Sequence, residues 1–459
     1  MKTVIRDNIF FQLNNEDSVD VFEGDTKITE ISIELHFMLC LFNGYLEDYE
    51  IIELFKEAFC VNSRESKEMF NRIISKCEYI LEKTDSSTRE LEPYINNINK
   101  KFTVNFSRIR AIVPNTLVIS LTRDCFMQCE YCYAGANYEP KASEKNSLSK
   151  ELIEKIIKEA RLLRIKHIDL TGGDPFARDD IFEVLNIFKK YDITVSLSTK
   201  KIFSKNDIEN LKKYRNILEI QLSLDTLNNE IQEKLVNKKN YASDMIKVVE
   251  ELCKNKFNVK VNSVVTSLNI NQIIDLSKYL DKIEVKKHII SPYSNNMWNK
   301  YEYLFPRYEQ YNKLYNNIKN LKLSIDIEYP RILQDIEKKN IEEMYIEKKE
   351  LTCKAALDGF VINHHGLASI CERLSYNEEF SVGDIKNSTI LEIWNSAKMK
   401  KFLNLDIENF KGTKCYKCKE KDYCLKFRGI CHVHALILNN SMYAPDYLCK
   451  FNENENRIF

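Results

Sequence analysis

Three cysteines, Cys125, Cys129 and Cys132, stand in the stretch CFMQCEYCYA with the spacing C-x3-C-x2-C. Thiolates are soft ligands, so thiols this close together read first as a metal site. A structural zinc site closes with four ligands, and the local set here stops at three. Three thiolates can hold three corners of an iron–sulfur cubane and leave the fourth iron open. An open coordination position marks a catalytic centre rather than a structural one. A zinc ion completed by a distant ligand satisfies the same spacing, and the residues alone leave both readings open.

A second set follows a different pattern. Cys353 and Cys371 bracket Gly366 as C-x12-G-x4-C. Cys415, Cys418, Cys424 and Cys431 follow as C-x2-C-x5-C-x6-C, and Cys449 completes the set. The remaining cysteines, Cys40, Cys60, Cys77 and Cys253, lie in apolar surroundings and read as small buried hydrophobes.

Elements must hold these loops in place. From residue 117 strand and helix patterns alternate: LVISLT runs into the first cysteine loop, and HIDLTGGDP, ITVSLST, LEIQLSLD, VKVNSVVT and KKHIISPY follow, separated by helical stretches. Six strands fit residues 117–293, too few for an eight-fold barrel. The expected fold class is therefore α/β, a partial (β/α)6 TIM-like barrel. Ahead of it, residues 3–31 read as short strands, followed by three helical patterns of which the last runs to Lys83. Ser32 and Asp48 are the expected N-caps of the first two helices. This is a winged-helix-like α+β unit. Residues 308–345 read as a helical bridge to a cysteine-rich C-terminal domain. The expected organisation is a domain at 1–95, a linker at 96–116, the barrel at 117–305, the bridge at 306–350 and the last domain at 351–459.

The formal net charge of zero conceals an asymmetry. Residues 1–95 carry 10 Lys/Arg against 20 Asp/Glu, a net of −10, and the rest carries 58 against 48, a net of +10. A winged-helix unit suggests nucleic acid, but a domain this acidic lacks the phosphate contacts that supply such affinity. No apolar run approaches the length of a membrane span. The start MKTVIRDNIFF lacks the order of a signal peptide. A cytoplasmic location, and hence reduced thiols, is the expectation.

The motif C-x3-C-x-aromatic-C, with Tyr131 as the aromatic, resembles the signature of the radical S-adenosylmethionine (radical SAM) superfamily. The resemblance runs over residues 117–293. GGDP, residues Gly172, Gly173, Asp174 and Pro175, is similar to the superfamily's Gly-Gly-Glu-Pro loop, with Asp for the usual Glu. Ser198 lies in STKK, where many relatives have TNG; Ser223 and Asp225 lie in LSLD, similar to the fourth-strand motif; Asn262 matches a polar position on the fifth strand. The resemblance implies a [4Fe-4S] cluster on Cys125, Cys129 and Cys132. It implies S-adenosylmethionine (SAM) on the open iron, against Tyr131 and the four motifs just named. Reductive cleavage of SAM then yields a 5′-deoxyadenosyl radical that abstracts hydrogen from a substrate.

The later cysteines resemble the seven-cysteine SPASM domain. That implies a distal auxiliary cluster on Cys415, Cys418, Cys424 and Cys449, and a proximal one on Cys353, Cys371 and Cys431, three [4Fe-4S] clusters in all. The family usually has three residues before its counterpart of Cys431, and this chain has six. No cysteine lies between Cys253 and Cys353 to supply a fourth proximal ligand, which leaves that iron open or held by another residue type. The acidic N-terminal unit resembles the peptide-recognition domain of ribosomal-peptide maturases, which takes a leader peptide as an added strand. The implied partners are a ribosomal precursor peptide and an electron donor of flavodoxin or ferredoxin type, with neither nucleic acid nor membrane. The expected activity is formation of a thioether between a cysteine sulfur and a carbon of the precursor. The competing readings are a carbon–carbon or carbon–oxygen cross-link of streptide type, a formylglycine-generating sulfatase-maturing enzyme, and a non-catalytic iron–sulfur or zinc scaffold.

Overall fold

A computed structural model describes residues 2–84, 113–135, 147–329 and 355–449, apart from a few positions within those ranges. Cys40, Cys60, Cys353, residues 96–112 of the expected linker and residues 330–350 of the expected bridge lie outside the described residues.

The N-terminal unit contains β1 (Lys2–Ile5), β2 (Ile9–Leu13), β3 (Ser18–Glu23), β4 (Thr26–Ser32), α1 (Ile33–Leu39), α2 (Asp48–Phe59), α3 (Ser63–Lys76) and β5 (Leu81–Thr84). Strands β2, β3 and β4 form an antiparallel sheet, and β1 pairs with β5. Val21, Leu39, Phe42, Ile51, Phe55, Phe70 and Ile73 fill one core. Two expectations need correction. The third helix ends at Lys76, not Lys83, because residues 81–84 zip antiparallel onto β1. Pairing with a strand 76 residues away outweighs helix propensity here. Asp48 does not cap its own helix: its carboxylate accepts from Thr3 N at 2.8 Å and Thr3 Oγ1 at 3.1 Å, tying β1 to α2. Ser32 Oγ does accept from Leu35 N, at 3.3 Å.

The barrel strands are β6 (Thr116–Thr122), β7 (His167–Gly172), β8 (Thr194–Thr199), β9 (Ile217–Ser223), β10 (Val259–Val265) and β11 (Lys287–Pro292), all parallel. Helices α4 (Lys150–Leu162), α5 (Ile181–Lys190), α6 (Lys205–Leu211), α7 (Asn229–Val236), α8 (Tyr241–Lys254) and α9 (Ile273–Lys282) connect them. Strand period two sorts the side chains into two layers. Ile168, Leu170, Val195, Leu197, Ile220, Leu222, Val259 and Val261 are buried in the main core. Their alternates, among them Asp169, Ser196, Ser198, Gln221, Lys260 and Asn262, line a central cavity. The barrel is therefore apolar toward its helices and polar inside.

The sheet does not stop at the expected domain edges. After α10 (Tyr308–Lys319), β12 (Asp326–Glu328) pairs parallel with β11, so the predicted bridge contains a seventh parallel strand. At the opposite edge β13 (Gly359–Ile362) pairs parallel with β6 and continues into β14 (Leu367–Ser369) and β15 (Gly383–Asp384). The result is one ten-stranded sheet that the cysteine-rich segment extends. Helices α11 (Ile390–Trp394), α12 (Ala397–Leu403), α13 (Lys421–Phe427) and α14 (His432–Asn439) complete the described chain.

Candidate cofactor and catalytic site

The loop after β6 carries Cys125, Cys129 and Cys132, and all three line a cavity of about 690 Å³ at the C-terminal end of the barrel. The loop is fixed from two sides. Its Gln128 and Glu130 N–H groups donate to the carbonyls of Val236 and Leu235, at the end of α7. On the other side, Gly173 N donates to Thr122 O and Asp174 N to Asp124 O, each at 2.7 Å. A Cβ on Gly172, whose φ is +137°, would lie 2.2 Å from Thr122 O. On Gly173 it would lie 2.1 Å from Asp124 O. Only glycine permits this approach of two backbones.

The Asp174 carboxylate is buried and occupied: it accepts from Phe176 N, Thr199 Oγ1 and Lys200 N at 2.7–3.0 Å. It fastens the glycine loop to the end of β8, while Pro175 opens the short 3-10 turn behind it. Ser198 and Ser223 line the cavity; Gln221 Nε2 donates to Ser198 Oγ at 3.1 Å. Asn262 also faces it and accepts from Ser291 Oγ at 2.8 Å. Asp225 stands one layer back. Its carboxylate accepts from Tyr131 OH at 2.5 Å, Gln232 Nε2 at 2.8 Å and Val264 N at 2.8 Å, so it orients Tyr131, which lines the cavity.

Three residues that sequence reasoning missed complete the wall. Lys200 Nζ donates to Tyr131 OH at 3.2 Å and lies 5.4 Å over its ring. Burial disfavours its charge, but the three thiols and Asp225 outweigh that and raise its pKa. Glu372 lines the cavity beside Cys371 and accepts from Tyr133 OH at 2.6 Å. Arg373, also on the wall, donates to Asn295 O at 2.6 Å and contacts His434 Nε2 at 2.8 Å. Lys200 was visible as a departure from a family pattern. Nothing in the sequence brings residues 372–373 to the barrel mouth.

The donor set fits an iron–sulfur cluster. Burial pushes the Cys125 thiol up to about 11 and Cys129 further, so neither ionises at neutral pH without a cation to hold it. Among the described residues no three His, Cys, Asp or Glu side chains converge closely enough for a single metal ion. The three thiols instead face a shared space, as a polynuclear group requires.

The later cysteines divide between two places. Cys371 and Cys431 pack against the main core, and Cys431 N donates to Asp446 Oδ2 at 2.7 Å. Cys415 and Cys424 pack against a separate small core around Phe410. Burial, followed by Cys449, Cys424 and Cys418, pushes the Cys415 thiol up to about 12. His432 bonds Met442 O at 2.9 Å, and the His364 and His365 rings lie 4.0 Å apart, tilted by 41°.

Two family models match the chain: the radical SAM superfamily over residues 119–280 and the SPASM iron–sulfur cluster-binding domain over residues 353–419. The chain carries a radical SAM domain. Its cofactors are S-adenosylmethionine and iron–sulfur clusters. The radical SAM segment is 31% identical over 175 residues to a probable GTP 3′,8-cyclase of Pyrococcus abyssi, covering 38% of this chain and 55% of that protein. The chain thus spans about half the length of the curated cyclases it matches. A longer match is to the antilisterial bacteriocin subtilosin biosynthesis protein AlbA of Bacillus subtilis, 23% identical over 75% of this chain and 72% of that one. Among solved structures, Streptococcus suis SuiB bound to its precursor peptide SuiA has a similar fold. It gives a TM-score of 0.67 at 18% identity, over 98% of this chain and 100% of SuiB. Native anSMEcpe with bound AdoMet shares the fold at a TM-score of 0.53, with 18% identity, 73% of this chain and 93% of that one. Among the described residues no helix is long and apolar enough to cross a membrane.

Proposed function

We propose that this radical SAM chain matures a ribosomally made precursor peptide by joining a cysteine sulfur to a carbon of another residue. The observation that carries the reading is the shared cavity: Cys125, Cys129 and Cys132 line one wall and Cys371 another. A substrate between them has radical chemistry on one side and a second sulfur-ligated centre on the other. In this reading Cys125, Cys129 and Cys132 hold one [4Fe-4S] cluster. Cys415, Cys418, Cys424 and Cys449 hold a distal auxiliary cluster, and Cys353, Cys371 and Cys431 a proximal one. SAM held at the first would supply the hydrogen-abstracting radical chemistry.

The chain's own residues have separable tasks. Gly172, Gly173 and Asp174 set the loop along which SAM lies, and Ser198, Ser223 and Asn262 present polar groups to it. Asp225 holds Tyr131 against the cysteine loop. Lys200 is the cation for the carboxylate of SAM: Lys260 is paired with Glu219 at 2.5 Å, and Arg373 is engaged by Asn295 and His434. A thioether costs the peptide two hydrogens: one leaves carbon as an atom, the other leaves the thiol as a proton, and the electron left over would pass to the auxiliary cluster that Cys353, Cys371 and Cys431 would hold. Asp174 is fully occupied, whereas Glu372 lies beside Cys371 with one oxygen bonded by Tyr133 OH, and its other oxygen would accept that proton. The N-terminal unit holds the leader, and a reduced electron carrier is the second partner.

The competing product is a carbon–carbon or carbon–oxygen bond. A single experiment separates the two. The chain is co-expressed anaerobically with any short reading frame beside its gene, the peptide is alkylated with iodoacetamide, and its intact mass is measured. Loss of two hydrogens per bond with the matching cysteine refusing the alkyl group supports the thioether. The same loss with every cysteine alkylated overturns it in favour of a carbon–carbon or carbon–oxygen bond.

A further inference from the structure

The cysteine loop has an outer face as well as a cavity face. Phe126, between the first two cysteines, is 44% exposed, whereas Met127 beside it is 3% exposed. Tyr303, 58% exposed, reaches the same loop from the other side and donates to Glu130 Oε2 at 3.3 Å. A large apolar ring in water costs free energy that a buried position would recover, and only six large apolar residues are exposed among those described. Two of the six flank this loop.

Charged groups of both signs lie around the pair. Lys201 Nζ lies 5.7 Å over the Phe126 ring and 3.8 Å from Asp207 Oδ1. Asn237 Nδ2 donates to Gln128 Oε1 at 2.8 Å, which sets Lys238 and Lys239 next to the loop, both exposed and in no ion pair among the described residues. Lysines just past a helix C-terminus are also favoured by the helix dipole, so the charge alone decides nothing. That reason does not apply to Phe126. Aromatic anchors inside a charged rim are the make-up of a protein-binding face.

The kind of partner follows from what lies beneath. Electron transfer falls steeply with distance, so a protein that reduces a cluster on Cys125, Cys129 and Cys132 must dock over this loop. We propose that Phe126 and Tyr303, with Lys201, Lys238 and Lys239, form the docking site of an acidic, low-potential one-electron carrier protein. The proposal rests on the reading of the loop as a cluster site. One electron leaves the reduced carrier, which departs oxidised, and the cluster gains it; no bond or proton changes. Opposite charge steers the encounter, and the small aromatic contact lets the carrier leave after a single transfer.

The test uses the anaerobically reconstituted full chain and reduced flavodoxin as the probe, with cluster bleaching followed by stopped flow. K238E/K239E should lower the second-order rate about tenfold at low salt and flatten its salt dependence. F126A should lower it by a similar factor at every salt concentration. Reduction by dithionite, iron content and SAM affinity should stay at wild-type values. Wild-type rates in both variants would overturn the docking site, as would an equal loss in K398E/K401E, a matched charge reversal on α12. A wild-type chain that shows no dithionite-bleachable chromophore would instead overturn the cluster reading, and the docking site with it.

Discussion

A methyl group on Gly173 would sit 2.1 Å from Asp124 O and 2.3 Å from Arg123 O, so it must move the backbone that leads into Cys125. Overpacking of this kind costs about 1–3 kcal/mol. Gly173→Ala should therefore lower thermal stability and, more tellingly, the iron retained after reconstitution. Wild-type iron content in a folded variant would show that the loop tolerates the shift. Lys200 makes a different prediction. Removing a charge-assisted hydrogen bond costs about 1.5–3 kcal/mol, so Lys200→Met should weaken SAM binding about 10- to 100-fold in equilibrium dialysis, with iron content unchanged. Unaltered affinity would mean that its ammonium serves only the thiols. At this scale the cysteines, the glycines and Tyr131 were legible because their spacing is local. Glu372 was not: its partner Tyr133 lies 239 residues away, and only the fold brings the two together.

Helix α4 docks the barrel against the C-terminal segment through two side chains. Lys155 Nζ donates to Ile385 O at 2.7 Å, and the buried Glu159 accepts from Ile390 N at 2.8 Å, at the start of α11. The other Glu159 oxygen has no hydrogen-bond partner among the described residues. Burial pushes its carboxyl up to about 7; the Ile390 bond and Lys155 oppose this, and Glu392 adds to it. The folded state thus binds this proton more tightly than the unfolded chain does. The resulting stability is fully present below the unfolded value of about 4.3 and is lost as pH rises through about 7, by up to about 3 kcal/mol. Glu159→Gln, which keeps an acceptor for Ile390 N, should flatten this part of the pH profile of thermal unfolding between pH 5 and 8. An unchanged slope would assign the dependence to other groups. The six barrel strands were legible from period two because each has six or seven residues. Strands β5, β12, β13, β14 and β15 have only two to four residues, too few to display a period, and β5, β12 and β13 pair with strands remote in sequence.

Across the whole molecule, the acidic N-terminal unit and the barrel face different demands. In the proposed reading the unit would hold a leader long enough for the core peptide to sample the cavity, and tethering would raise its effective concentration to about the millimolar range. An extended peptide needs an open sheet edge. Strand β4 is the outer member of its three-stranded sheet. Its register against β3 slips between Val21 and Phe22, which pair with Thr29 and Lys27, so Ile28 has no cross-strand partner and is 37% exposed. A bulge at an edge commonly re-aims a side chain or ends pairing, and here it presents an apolar group beside the exposed Glu23 and Glu30. With a net of −10 over residues 1–95, this edge suits a leader with basic residues around an apolar one. Ile28→Pro, a residue tolerated at edges and bulges, removes an N–H and blocks strand addition. It should weaken leader binding by about tenfold or more in fluorescence anisotropy, while SAM cleavage without peptide stays unchanged. Added salt should weaken the wild-type complex as well, since the attraction is between exposed charges. Full leader affinity in the proline variant would move the binding site to another edge, with β2 or the β1–β5 pair as the next to test.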